Sequence, residues 1–130
     1  MAVVPVIQGS CGKTSFYDAL GVADEHRGWP LGVFVVDGDG VPLTDAFEIS
    51  WRRLKAGEER AEWSVGGEGC AITLVIRGSH EFTVAPNGVD GETTTRVLDA
   101  GEAIFWENMV PHKWRAVTDN EVITIRRLKN

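Results

Sequence analysis

Past Pro30 the chain is cut by turn chemistry at intervals of about 8–12 residues, and this spacing limits its fold more than anything else in it. Asp37-Gly38-Asp39-Gly40, Ala56-Gly57, Gly66-Gly67-Glu68-Gly69, Pro86-Asn87-Gly88 and Asp90-Gly91 are all strong turn formers. The segments between them are too short for a mean helix and rich in β-branched and aromatic residues. Residues 47–54 alternate Phe47, Ile49 and Trp51 against Glu48, Ser50 and Arg52, the period of a half-buried strand. Residues 71–77 are almost continuously apolar, which predicts a strand buried on both faces. Further strands are predicted over 33–36, 58–65, 81–84, 93–98, 103–107, 114–117 and 122–128. Eight or nine such strands define an all-β sandwich, jelly roll or barrel.

The first thirty residues differ. Helical periodicity is confined to residues 14–20, with Thr14 or Ser15 as N-cap and Gly21 as the stop. The expected organisation is an arm and short helix over 1–30, followed by one β domain over 31–130. At 130 residues, 43% hydrophobic and 25% charged, the chain has the composition of a single globular domain. No apolar run approaches the roughly 18 residues of a membrane helix, and the opening residues lack the pattern of a secretory signal. A formal charge of −6 argues against a surface that tracks nucleic-acid phosphates. Cys11 and Cys70 are too few for a disulfide framework and read as inert reduced thiols, so the expected location is the cytoplasm. Gly9-Ser10-Cys11-Gly12-Lys13-Thr14 looks like a phosphate loop, but Ile7 stands where that motif needs its first glycine.

Three landmarks over residues 56–127 carry a resemblance. Leu54-Lys55-Ala56-Gly57 ends a strand at a glycine. Leu74-Val75-Ile76-Arg77-Gly78-Ser79-His80-Glu81-Phe82 turns at Gly78 and resumes as a strand. Val97-Leu98-Asp99-Ala100-Gly101-Glu102-Ala103 leads to Pro111-His112-Lys113-Trp114, with His112 eleven residues after Gly101. In order and spacing these resemble the cupin superfamily, which implies a single-domain cupin-type double-stranded β-barrel with jelly-roll topology. Metal-binding cupins hold their ion with two histidines and a glutamate from a first motif and one histidine from a second. Laid from Gly57 and back from Gly78, the first three positions fall on Trp63, Val65 and Ala71, so only His112 survives. Glu107 and Met109 also replace the usual Pro and Gly of the second motif. One imidazole does not hold a transition ion, which needs three or four converging donors. No metal and no cofactor is therefore expected. The alternative is a rebuilt set of His112, His80 and an acid such as Glu62 or Glu68.

In the cupin pattern His112 turns into the barrel, where an imidazole serves as general acid or base, with Glu107 ahead of it to assist. The other reading of His112 is a histidine satisfied by hydrogen bonds in the core. Trp114 shares its face two residues on. Trp63 and Val65, at ligand positions, are expected to face the same space, together with Thr73, Trp51, Trp106 and Arg52. Arg52 and Arg53 point to opposite faces, so one of them is expected to turn inward or into a subunit interface. Tryptophans around one mouth would make an apolar slot for a ring or chain.

The expected function is that of a metal-independent isomerase, lyase or cyclase of specialised metabolism acting on a small apolar or aromatic molecule. The alternatives are a non-catalytic ligand-binding or sensor module, and a metal-dependent cupin of dioxygenase type. Small cupins lend an N-terminal strand to a partner, so the resemblance implies a homodimer through residues 3–7, covering an exposed sheet edge.

Overall fold

The computed structural model describes residues 7–11 and 14–128. A hairpin of β1 (Ile7–Cys11) and β2 (Thr14–Tyr17) comes first, followed by α1 (Ala19–Glu25). Eight strands then build two sheets: β3 (Phe47–Leu54), β4 (Glu59–Ser64), β5 (Gly69–Arg77), β6 (Ser79–Val84), β7 (Thr94–Asp99), β8 (Ala103–Glu107), β9 (His112–Ala116) and β10 (Asn120–Leu128). The sheet orders are β3-β10-β5-β8 and β4-β9-β6-β7, with every pairing antiparallel. Only β6 and β7 are consecutive neighbours within these sheets, and every other connection from β3 onward crosses to the opposite sheet. That is jelly-roll topology. The two sheets are hydrogen-bonded separately, and side chains pack between them.

Alternation along the strands supplies the core. Ala71, Val75, Trp106 and Val122 of one sheet pack against Phe82 and Leu98 of the other. Gly78 makes one of the crossings: its φ of 78° and the nearby Asp119 carbonyl leave no room for a side chain, letting β5 pass directly into β6 of the opposite sheet.

Three local expectations are corrected. The helix lies at Ala19–Glu25, not 14–20, because Thr14–Tyr17 are taken up in the hairpin. Asp18 is its N-cap, accepting a hydrogen bond from Gly21 N–H at 3.1 Å. Gly21 is therefore inside the helix, which stops where Arg27 and Gly28 take positive φ. Residues 33–36 form no strand. They fold through turns that bury Val35 and Val36, with one bridge from Val36 to Pro42 inside the segment and one from the preceding Leu31 to Ile49 of β3. Finally, β5 is buried on one face only, since Ala71, Thr73 and Val75 point inward while Ile76 is 49% exposed. The segment of residues 3–7 expected to form a dimer arm lies, apart from Ile7, outside the described residues. Among the described residues no helix is long and apolar enough to cross a membrane.

Candidate functional site

Between the sheets, beside the apolar core, lies a cavity of about 330 Å³. Its wall is drawn from the inward parity of both sheets: Ser50, Arg52 and Leu54 of β3, Thr73 of β5, and Val122, Thr124 and Arg126 of β10, facing His80 and Phe82 of β6 and His112 and Trp114 of β9. Trp106 of β8, Arg60 and Ser64 of β4, and Arg27 and Trp29 from the segment after α1 complete much of the rest.

Of the residues expected at the site, His112, Trp106, Trp114, Thr73 and Arg52 are together here. The inward choice between Arg52 and Arg53 falls on Arg52, while Arg53 pairs with Asp24 outside at 3.3 Å. Four expected residues are not part of the wall. Trp63 and Val65 have the outward parity of β4, because Arg60 and Ser64 pair with Trp114 and His112 and take the inward positions. Counting from Gly57 thus lands one residue out of phase, and such a slip reverses every side chain. Trp63 lies beneath Lys113, whose Nζ is 4.6 Å from the ring centroid, and Val65 is 59% exposed. Trp51 sits on the outer face of β3, donating from Nε1 to Glu121 Oε2 at 2.6 Å. Glu107 is exposed beside Val84, Pro86 and Phe105, on the face of β8 opposite Trp106, and does not reach His112.

His112 is held by its Nδ1, 3.0 Å from the Val110 carbonyl. The neutral ring therefore carries its proton on Nδ1, donates it to that carbonyl, and keeps the Nε2 lone pair for an incoming proton. Its ring centroid is 4.9 Å from that of Trp106. Burial is the main cause that lowers its pKa; the hydrogen bond to Val110 opposes this, and Arg60 and Arg126 add to the lowering.

His80 is only 2% exposed and stacks on Trp114 with centroids 5.3 Å apart. Burial brings its pKa down to about 4, against the effect of its contact with Asn120 and helped by Arg52. It is a neutral ring packed as an aromatic. Its inward position was legible in the alternation of His80 and Phe82 about Glu81. Arg27, Trp29, Arg60 and Arg126 also line the cavity, and none of the four was expected there from the sequence. Arg126 lies 4.9 Å from the Trp29 ring centroid and is ion-paired with Glu48.

The wall does not suit a transition ion. His112 and His80 are two donors, whereas Glu62 and Glu68 are exposed and outside the cavity lining. Among the described residues no group of three or more His, Cys, Asp or Glu is placed to hold a metal. The arginines would also repel a cation from the same space.

Fold and cavity define the class: the chain has the fold of the cupin superfamily. Among solved structures it is similar to an RmlC-like cupin protein from Desulfovibrio desulfuricans, at 27% identity and a TM-score of 0.53, over 65% of this chain and 74% of that one. It is similar to KdgF from Halomonas sp., at 18% identity and a TM-score of 0.55, over 67% and 74% of the two chains. The Drosophila melanogaster CENP-C cupin domain aligns at 14% identity and a TM-score of 0.53, over 63% and 68%. The oxalate decarboxylase of Lactobacillus farciminis aligns at 19% identity and a TM-score of 0.57, over 71% of this chain and 26% of that one. No family model and no curated protein matches.

Proposed function

We propose that this protein binds a small molecule in the cavity between its sheets and moves a proton on it without a metal, as an isomerase, lyase or cyclase does, with His112 as the base. The observation that carries the reading is the state of His112: Nδ1 is engaged by the Val110 carbonyl, and burial favours the neutral ring. A base needs that protonation state at neutral pH. The ring also borders an aromatic wall of Trp106 and Phe82, against which an apolar or aromatic substrate would pack. The similar structures include oxalate decarboxylases and the CENP-C cupin domain, which supports a cupin-type function without selecting an activity.

A second reading, a binding module without turnover, is favoured by one observation. With Glu107 outside the cavity and His80 enclosed as a neutral ring, no Asp or Glu among the described residues lines the cavity beside His112 as a second proton-transfer group. Exchange in D2O separates the two. The small molecule that accompanies the purified protein, identified by native mass spectrometry, is incubated with wild type and with His112→Ala. Deuterium incorporation by wild type alone, with binding retained in the variant, is the result expected. Binding with no incorporation by wild type would replace the enzyme reading with the binding module.

A further inference from the structure

The chain has a formal charge of −6, yet its cavity is lined by four arginines and by no Asp or Glu. Glu48 compensates Arg126 from outside the lining. Arg27, Arg52 and Arg60 form no ion pair among the described residues. Arg52 Nε is enclosed and has no acceptor, and Trp106 Nε1 is in the same condition. Burial lowers the pKa of Arg52, and the like charges of Arg60 and Arg126 lower it further. Unpaired donors and mutually repelling cations oppose folding. Arg27 adds to that cost, because its φ of 57° is a left-handed conformation suited to glycine or asparagine at a helix end.

The charges stand next to rings. The Arg52 guanidinium carbon is 5.9 Å from the Trp114 ring centroid, and Arg60 is directly across the ladder from Trp114. An oxyanion held by Arg52 and Arg60 would leave the rest of its molecule against Trp114 and Phe82. An inorganic anion would leave that aromatic surface unfilled. The volume of about 330 Å³ is at the small end for ligand pockets, which suits one ring or a short unsaturated chain.

We infer that the cavity is a receptor for a small aromatic or unsaturated carboxylic acid, with the carboxylate taken by Arg52 and Arg60 and the body laid against Trp114 and Phe82. This rests on the reading of the cavity as the ligand site and adds the chemical class of the ligand. Guanidinium forks match carboxylates in two parallel hydrogen bonds, which gives Arg its advantage over Lys in such a role.

The test titrates the full-length protein with benzoate, cinnamate, their amides benzamide and cinnamamide, and inorganic phosphate, following tryptophan fluorescence and heat. At least one acid is expected to bind about tenfold or more tighter than its amide and than phosphate. Arg52→Gln and Arg60→Gln should each weaken that acid by about tenfold to a hundredfold, the scale of a hydrogen bond to a charged group, and leave its amide unchanged. Arg60 is exposed at the rim, so Arg60→Gln tests the claim even if Arg52→Gln fails to fold. Amides that bind as well as acids, or acids indifferent to Arg60→Gln, would overturn the carboxylate claim while the ligand cavity stands. Phosphate binding as tightly as the acids would overturn the organic class. No binding by any of the four organic probes would remove both the inference and the reading beneath it.

Discussion

At the scale of single residues, burial decides chemistry. His80 and His112 face one cavity, but His80 is enclosed between Trp114 and Phe82, whereas His112 sits at the wall with one nitrogen uncommitted. His80 therefore contributes to stability. Its pKa falls from the ordinary value near 6.5 to about 4, so the folded state binds fewer protons than the unfolded chain between those limits. Stability is full above about pH 6.5 and declines as pH drops toward 4, by on the order of 1–3 kcal/mol. Urea unfolding at pH 7.5 and pH 5.0 should reveal this loss, and His80→Gln should shrink it. His112→Ala should change stability by no more than about 1 kcal/mol, because little packing is removed, while abolishing turnover or ligand response. Because its pKa is lowered, the acid limb of any rate profile should fall below about pH 6.5.

At the scale of elements, β4 explains both what the sequence disclosed and what it hid. Turn chemistry and alternation were enough to recover most strands to within two residues, because each is a local property of the chain. The phase of β4 was not local. Its pairing to β9 shifts between Arg60 and Ser64, and this irregularity has no mark in the residues themselves. Trp63 consequently lies under Lys113 instead of at the cavity, and the sequence-based assignment of Trp63 and Val65 fails with it. Trp63→Ala should leave cavity binding within about twofold, whereas Trp114→Ala should weaken it by about 1–3 kcal/mol. Fluorescence titration of the two variants makes the comparison. In β6 the signal was present but unused: Phe82, two residues away, marks the inward face of His80, while the continuous apolar run of β5 masked that only one of its faces is buried. The segment after α1 was illegible for another reason. Arg27 and Trp29 reach the cavity through a helix end at a left-handed arginine, a conformation that residue type argues against. Arg27→Gly relieves that conformation, so it should leave thermal stability no lower than wild type while reducing affinity for an anionic ligand.

For the molecule as a whole, the jelly roll assembles distant residues into a positive, aromatic cavity inside an acidic protein. Net charge measured over the whole chain conceals this, and the tryptophans alone pointed to an apolar slot, whereas the arginines that line the folded cavity favour an anion. The β1–β2 hairpin belongs to neither four-stranded sheet. The homodimer implied by the N-terminal segment is checked by size-exclusion chromatography with light scattering. The expected result is a dimer that weakens when residues 1–7 are removed, and a monomer unaffected by that deletion contradicts it. The central claim is that the cavity works through its side chains, without a transition metal. Elemental analysis of protein purified without added metal, set beside native mass spectrometry, tests it most directly. Clearly substoichiometric Fe, Mn, Ni and Zn are expected, with any bound species a small organic anion. Near-stoichiometric metal that resists mild chelation would contradict it.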